Sequence, residues 1–250
     1  MGCLTKFVRE CKRIDRVIIE NIRSLFAVKN EMLFLVQTVI ILSLTLGALR
    51  MGKDYLKAFV AAGIVLANIF VTKQIRLFGL DATGGNIIYA SIFLATDLLS
   101  EHYSKKDAQD AVKIGFLAAL LYLVCTQFIL KYVPSDYDTV HDGMQGIFAF
   151  APRIILASML AYVVSQFHDV WTYNAIMSKT GRKMLWLRNN GSTWISQLID
   201  SFLFAVVAFL GVLPLPVVWQ IAISTYLLKV LVALLDTPFM YISYWVKSDR

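Results

Sequence analysis

Six ionisable side chains lie within or at the edge of long apolar runs of this chain, namely Asp97, Arg153, Asp169, Asp200, Lys229 and Asp236. An ionised group at the centre of a lipid bilayer costs at least about 2.5–3.5 kcal/mol on insertion scales, so such groups normally face a polar interior. Ion pairing explains any single one of them about as well as ligand contact does. It explains the whole set less well, because a buried ion network gains little over well-packed apolar residues. We therefore predict a water-filled or ligand-filled cavity.

Further acids, amides and aromatic residues lie near these charges in the sequence, some at spacings of three or four residues, which place two side chains on one face of a helix. Asp97 and Glu101 are four residues apart and Gln197 and Asp200 are three apart, so each pair shares one face of a helix. Acids, cations and amides together favour a planar, multidentate polar solute over a bare ion. Tyr89 is close enough in sequence to polar positions to stack on such a solute, although core packing is the commoner role of any one aromatic residue.

The elements that must position these groups are membrane-spanning helices. Of the 250 residues, 58% are apolar and 16% are charged, and the mean hydropathy is +0.65, which is typical of an integral membrane protein rather than a soluble domain. About 18–20 apolar residues cross a bilayer as a helix. Seven stretches approach or exceed that length: 32–49, 56–73, 86–101, 111–131, 147–169, 195–213 and 217–245. The sequence thus predicts an all-α polytopic bundle, with one transmembrane domain over residues 32–250.

Two features of the spans are predicted from turn residues and prolines. The sequence DATGGN (81–86) precedes the short third stretch, which we expect to be tilted or partly unwound. Pro214 and Pro216 separate the last two stretches, and Pro238 is expected to kink the final one.

The distribution of charge predicts the orientation. The chain has 24 Lys and Arg against 17 Asp and Glu, and the loops 102–113 and 170–193 are basic, whereas 133–146 is acidic. The positive-inside rule places the basic loops and the C-terminus in the cytoplasm. The pattern of basic and apolar residues in 1–31 predicts a basic amphipathic arm that lies on anionic membrane lipid. With seven spans and a cytoplasmic C-terminus, this arm lies outside the cell, which conflicts with its positive charge. We give more weight to the later loops, because the orientations that they predict agree with one another.

Other classes of function have little support in the sequence. The excess positive charge comes without a nucleic-acid-binding signature, so we expect no nucleic-acid partner. Cys3, Cys11 and Cys125 are too scattered for a metal site, and the three histidines lack ligand spacing. No HExxH or GxSxG motif is present. We expect neither an enzyme nor a bound metal or cofactor, and an intramembrane protease or a haem-binding subunit is disfavoured.

Four segments carry a resemblance to a known family. IIYASIFLATDLLSEHYSKKDA (87–108), PRIILASMLAYVVSQFHDVWTYN (152–174), LWLRNNGSTWISQLIDSFLFAVVAF (185–209) and YLLKVLVALLDTPFMY (226–241) resemble the queuosine precursor transporter family, the vitamin-uptake-like membrane proteins of bacteria. The resemblance extends from about Met32 to Trp245. VLANI (65–69) and TGGN (83–86) are similar to its longer branch. Ser104 departs from the family pattern, which commonly has Gly there, and the basic arm is longer than usual.

The resemblance implies a multi-pass protein of the bacterial cytoplasmic (inner) membrane that imports 7-deazaguanine bases for the queuosine modification of transfer RNA. It implies six core spans, to which this chain adds one N-terminal apolar segment. The cyano base, the aminomethyl base and queuine all stay open as the substrate. A homo-oligomer and coupling to a proton or another ion stay open as well.

The donor and acceptor pattern of a deazaguanine matches the polar set. A carboxylate, Asp97 or Asp200, would accept from the N1–H and exocyclic amine edge, with amide support. Arg153 and Lys229 would hold the acids ionised or donate to the carbonyl, and a cationic aminomethyl group would favour a further acid. The candidate substrate-binding residues are Asn86, Tyr89, Asp97, Glu101, Arg153, Gln166, Asp169, Gln197, Asp200 and Lys229.

Two modes of transport remain open on the sequence. The chain is either a self-sufficient carrier that works by alternating access, or a substrate-capturing subunit of a vitamin-type importer with a separate ATPase. It has no P-loop, so any use of ATP requires that partner.

Overall fold

The computed structural model describes residues 29–180 and 185–248, so the arm predicted for residues 1–31 lies almost entirely outside the described residues. Helices dominate this part of the chain, and one β-hairpin accompanies them. The elements are α1 (Lys29–Met51), α2 (Lys53–Phe70), β1 (Gln74–Leu77), β2 (Leu80–Thr83), α3 (Asn86–His102), α4 (Lys105–Ile129), α5 (His141–Phe148), α6 (Ala151–Thr180), α7 (Leu185–Phe209) and α8 (Leu215–Ser248).

Four helical stretches are long and apolar enough to cross a membrane: Lys29–Met51, Lys105–Ile129, His141–Ser165 and Leu215–Lys247. Trp194–Phe209 within α7 is a shorter apolar stretch. Many large apolar side chains on these helices are exposed, for example Leu117 and Phe167, as expected where lipid covers the outer faces. The prediction of a mostly helical, multi-pass membrane protein is therefore confirmed at this level.

The helices pack into two groups with separate apolar cores. The first bundle, α1 to α4, encloses a cluster that includes Leu42, Leu56 and Leu98. The second bundle, α6 to α8, encloses a cluster that includes Ala205 and Ile221. Contacts between α3 and α8 join the two bundles. The helix α6 also contacts α2 and α4, so the two bundles meet along a second interface as well.

The ends of the helices define two ends of the molecule. At the basic end, Lys57 Nζ lies 2.6 Å from Asp107 Oδ1, and Lys247 Nζ donates to the His102 carbonyl at 2.5 Å, which brings the starts of α2 and α4 and the ends of α3 and α8 together. At the hairpin end, the side-chain amide of Asn30 donates to the Arg76 carbonyl at 3.2 Å. The start of the loop 102–113 and the C-terminus, both predicted to be cytoplasmic, thus share one end with the residues around 50–57.

The β-hairpin is an element that the sequence reasoning did not predict. Phe78 and Gly79 form its two-residue turn, with φ of 51° and 78°, and β1 pairs antiparallel with β2. Positive φ at both turn residues suits the right-handed twist of a hairpin. The signal was weak because Phe-Gly is not a usual turn pair of this kind and each strand has only four residues. The third predicted span, α3, is a continuous helix and is not partly unwound.

The two glycines of the TGGN sequence allow α3 to start directly against the end of α2. A Cβ on Gly85 would lie 2.8 Å from the Ala67 carbonyl oxygen, and one on Gly84 would lie 3.0 Å from the Phe70 carbonyl oxygen. The Gly85 carbonyl accepts hydrogen bonds from the backbone N–H groups of Ile88 and Tyr89. This close approach therefore fixes where the first turn of α3 places its side chains.

Ser104, the departure from the family pattern, caps α4. Its backbone is extended, with φ of −157°, and its hydroxyl oxygen accepts from the Asp107 N–H at 3.1 Å and donates to the Asp107 carboxylate at 2.7 Å. Serine is among the preferred residues at this position of a helix. The Ser104 hydroxyl therefore caps the start of α4, a contact that a glycine at this position cannot make.

The acidic loop predicted at 133–146 contains a further helix, α5. Asp138 Oδ1 accepts from the N–H groups of Val140 and His141 at 2.8 and 3.1 Å, just where the helix begins. The apolar-run criterion missed this helix because it has only eight residues and a polar sequence.

We expect Gly85→Ala to lower the thermal stability of the detergent-purified protein, because the new methyl group meets backbone atoms of α2 that have no room to move. Gly143→Ala is the matched control, since a Cβ there has nothing within 4 Å, and we expect it to leave stability unchanged or slightly raised. The midpoint temperature of unfolding, measured by size-exclusion after heating, tests both. Equal midpoints for the two variants would contradict the close-packing role of Gly85.

Candidate functional site

An ion pair between α7 and α8 lies at the centre of the candidate site. Lys229 Nζ donates to Asp200 Oδ2, and the two side chains are only 12% and 23% exposed. The hydroxyl of Ser165 on α6 lies 3.5 Å from the other carboxylate oxygen of Asp200. The ring of Phe93 on α3 has its centroid 5.9 Å from Lys229 Nζ. Side chains from four helices therefore meet at this pair.

The packing of the helices explains why these residues meet. The helix α7 lies against both α6 and α8, and α3 lies against α8. Tyr89, one turn before Phe93, has its hydroxyl beside Ser158 of α6 and within electrostatic range of Asp200. The pair thus lies at the junction of the two bundles, with aromatic residues of α3 on one side and polar residues of α6 and α7 on the other.

Several buried polar atoms around this junction have no hydrogen-bond partner in the described part of the chain. They include Asn86 Nδ2 on α3, Ser158 Oγ on α6, Gln197 Oε1 on α7 and Thr225 Oγ1 on α8. Buried polar atoms are nearly always hydrogen-bonded, to protein or to water. Four helices therefore each present at least one group that a ligand or bound water can satisfy.

Helical spacing places these groups and the charges on facing surfaces. On α3, Asn86, Phe93 and Asp97 are seven and four residues apart, and on α8, Thr225, Lys229 and Asp236 have spacings of four and seven, so each set shares one face. We call the polar strip between the bundles the seam. It consists of Asn86, Tyr89, Phe93, Asp97, Ser158, Ser165, Gln197, Asp200, Thr225, Lys229 and Asp236.

Asp97 on α3 and Asp236 on α8 lie toward the basic end of the seam. They lie close enough for their charges to interact. Asp97 is exposed and Asp236 is half-buried. Neither carboxylate has a hydrogen-bond or ion-pair partner among the described residues. The structure therefore contains one paired and two unpaired acids along the same seam.

Two residues predicted for the site have other contacts. Arg153 donates to the backbone carbonyls of Val207 and Leu210 at the end of α7, the first at 2.8 Å, so it satisfies the last carbonyls of that helix and the negative end of its dipole. Glu101 accepts from the Tyr244 hydroxyl at 2.5 Å, at the basic end of the α3–α8 interface. The side chains of Gln166 and Asp169 lie outside what the structure describes.

The seam contains five residues that the sequence analysis did not list as substrate-binding candidates: Phe93, Ser158, Ser165, Thr225 and Asp236. Phe93, Ser158, Ser165 and Thr225 contribute a ring and hydroxyl groups. The spacing of Phe93, seven residues after Asn86 and four before Asp97, could have identified it. Single hydroxyl residues in an apolar helix carry no comparable signal, since most of them bond to their own helix, as Ser165 does to the Tyr162 carbonyl at 3.0 Å.

An open cavity of about 250 Å³ lies elsewhere, between the hairpin and α8, and is lined by Leu77, Phe78, Leu80, Ser224, Leu227, Leu228 and Leu231. None of the predicted site residues lines this apolar cavity. Within residues 29–180 and 185–248, no three His, Cys, Asp or Glu side chains are placed to hold a metal ion.

Comparison with known proteins assigns the family. The family model described as "Putative vitamin uptake transporter" matches residues 83–243, which include the whole seam. The chain belongs to this family. A "Probable queuosine precursor transporter" of Bacillus subtilis is 44% identical over 191 residues, which are 76% of this chain and 83% of the relative.

Two more distant relatives of this transporter family have similar names. The "Queuosine precursor transporter" of Escherichia coli is 26% identical over 157 residues, 62% of this chain and 67% of the relative. A "Probable queuosine precursor transporter" of Haemophilus influenzae is 28% identical over 134 residues, 53% of this chain and 54% of the relative. No solved structure matches the chain.

The ion pair of this family member predicts an asymmetric response to mutation. Lys229→Met leaves the Asp200 charge without its partner and should lower the free energy of unfolding by about 3–5 kcal/mol, as for other buried pairs. The double variant Asp200→Asn/Lys229→Met should recover much of that loss, because no uncompensated charge remains. Thermal unfolding in detergent measures both.

Lys113→Met is the matched control for this experiment. Lys113 pairs with Asp110 at 3.2 Å, but the two side chains are 73% and 35% exposed, so the loss should be about 0–1 kcal/mol. If Lys229→Met is no more destabilising than Lys113→Met, the pair does not hold α7 and α8 together.

Proposed function

We propose that the protein imports queuosine precursors, the 7-deazaguanine bases, across the bacterial cytoplasmic membrane, and that the seam binds them. The observation that carries the proposal is the convergence of a paired acid, a lysine and unpartnered buried polar atoms from four helices on one strip between the bundles. The names of the relatives supply the chemical class of the substrate. A flat base with a donor-rich edge and a carbonyl is complementary to this set of groups.

In this proposal Asp200 accepts hydrogen bonds from the N1–H and exocyclic amine edge of the base. Charge-assisted bonds of this kind are roughly twice as strong as neutral ones. Lys229, which balances Asp200 in the empty site, then donates to the neighbouring carbonyl of the base. Phe93 and Tyr89 supply faces on which the ring stacks, and stacking of this kind contributes about 1–3 kcal/mol per base in nucleic-acid complexes.

The same proposal assigns the topology. The helices α2, α3, α4, α6, α7 and α8 are the six core spans and α1 is the additional N-terminal one. The basic end, with the C-terminus, faces the cytoplasm, because Lys53, Lys57, Lys105, Lys106 and Lys247 lie there. The hairpin and the acidic stretch before α5 then face outward.

Alternating access follows from the two contacts that close the seam. At the hairpin end, apolar packing that includes Leu77, Ile87 and Leu228 joins the first bundle to α8. At the basic end, the contacts are polar: Tyr244 with Glu101, and His102 Nε2 with the Ser243 hydroxyl at 2.7 Å. Rocking of one bundle against the other would open one end while the other stays closed, as in other carriers with a central site.

We expect Asp200→Asn to abolish import, because an amide in this place presents a donor where the base also presents donors. The measurement is the queuosine content of transfer RNA in a bacterial strain that lacks both synthesis and import of the bases, supplied with each base in turn. Asp110→Asn, an acid on the outside of α4, is the control and should import normally. An immunoblot of the membrane fraction checks that both variants are present, and normal import by Asp200→Asn would reject this role of Asp200.

Uptake by the purified protein alone in liposomes decides between the two modes of transport. A self-sufficient carrier accumulates labelled base without other proteins. Binding of base without uptake, restored by an added ATPase, would instead identify a substrate-capturing subunit.

A further inference from the structure

We propose that His168 is a proton-binding site linked to the base site, so that the protein takes up a proton when it binds the base. The inference rests on the proposed function and concerns how that same site is coupled to a second ligand. His168 lies on α6, one turn beyond Ser165. In the proposed orientation this is the cytoplasmic side of the ion pair between Asp200 and Lys229.

Two successive polar contacts between α6 and α7 connect His168 to the ion pair. The Ser165 hydroxyl lies 3.5 Å from Asp200 Oδ1. In the next turn, His168 Nδ1 lies 3.3 Å from the hydroxyl oxygen of Ser196. The two contacts are three residues apart on α6 and four apart on α7, about one helical turn in each. The imidazole ring is therefore about one turn away from the Asp200 carboxylate.

The surroundings of the His168 ring suit both of its protonation states. The ring is half-buried, and it lies beside two buried hydroxyl groups. One is that of Ser196, and the other is that of Thr172, whose Oγ1 lies 3.4 Å from Nδ1 and 3.3 Å from Nε2. A hydroxyl group donates to an unprotonated ring nitrogen and accepts from a protonated one. The ring can therefore gain or lose a proton and keep hydrogen-bond partners in both states.

Asp200 is the acid that shares the α6–α7 interface with His168. The helix α6 also packs against α4 and α2, but the charged side chains there either pair with each other or lie exposed near the basic end. The side chains of Asp169 and of residues 181–193 lie outside what the structure describes. The described charged groups on α4 and α2 are Lys113 with Asp110, Lys53 and Lys57 with Asp107, and the exposed Asp54, Lys105 and Lys106. The remaining described titratable groups are Tyr162 and Lys179 on α6 itself and Asp97 and Asp236 on α3 and α8.

The charge balance of the site explains the link between proton and base. In the empty site Lys229 neutralises Asp200. In the proposed bound state Lys229 donates to the carbonyl of the base, so the carboxylate keeps only neutral donors. A positive charge on His168 then compensates it, because an opposite charge nearby favours the charged form of a group.

Bound base therefore raises the affinity of His168 for a proton, which comes from the solvent and binds to the unprotonated ring nitrogen. By thermodynamic reciprocity, a proton on His168 raises the affinity for the base by the same factor. Histidine changes charge between about pH 5 and 8. The affinity for the base is thus highest at the acid end of this range and falls as the pH rises.

The dissociation constant of the cyano base, measured by calorimetry at about pH 5.5 and about pH 8 on the purified full-length protein, tests the link. The cyano base is the probe because it lacks the amine of the aminomethyl base. We expect the unaltered protein to bind it at least about fivefold more tightly at the lower pH. His168→Gln keeps a polar side chain that does not titrate, so its affinities at the two pH values should agree within about twofold.

His141→Gln is the matched control, since His141 lies at the start of α5 and outside the seam. We expect this variant to keep the pH dependence of the unaltered protein. If His168→Gln keeps that dependence as well, another group carries the proton and the proposal is overturned.

The unaltered protein provides a measurement that does not depend on the stability of any variant. Near pH 7, the binding enthalpy of the cyano base should differ between two buffers of different ionisation enthalpy, by an amount that corresponds to uptake of a fraction of a proton. Equal enthalpies, or equal affinities at the two pH values, would overturn the link and leave the base site in place. If the unaltered protein binds no base at any pH, the proposed function fails, and the proton site fails with it.

Discussion

The structure depends on a single constraint: charges placed among apolar helices need partners. Lys229 and Asp200 satisfy each other between α7 and α8, and the pair lies where these two helices meet α3. Removing water from an ion pair is unfavourable, and the attraction repays this only when the geometry is good and further polar groups are near. Ser165 and the ring of Phe93 provide such surroundings. The pair thus gives the protein a charged centre within an apolar framework.

The apolar residues are divided between two bundles, and the charged centre lies at the junction of the two. Each bundle has its own core, so the interface between them need not be apolar, and polar residues collect there. The hairpin end is closed mainly by packing and the basic end by hydrogen bonds. In the proposed transport cycle the two ends would open by different means, because hydrogen-bonded closures can exchange their partners for water while packed closures cannot.

Much of the candidate site could be predicted from the sequence, and particular residues show why the rest could not. Asp200, Lys229, Tyr89 and Asp97 stood out because polar groups in apolar helices are costly, and the structure places all four along the seam. Arg153 stood out for the same reason, yet its guanidinium reaches the carbonyls at the end of α7. In a sequence, an arginine that donates to the carbonyls at the end of a helix cannot be distinguished from one that donates to a ligand.

The sequence by itself determined the membrane class, the approximate bounds of the long helices and the family resemblance, because composition, apolar length and motif spacing are local properties. Only the tertiary structure decided which acid pairs with Lys229, that Arg153 reaches the end of α7, and that Gly84 and Gly85 lie directly against the end of α2. These are contacts between residues far apart in the chain. The sequence carries the charges, but the distances between helices decide which of them neutralise each other and which stay unpaired.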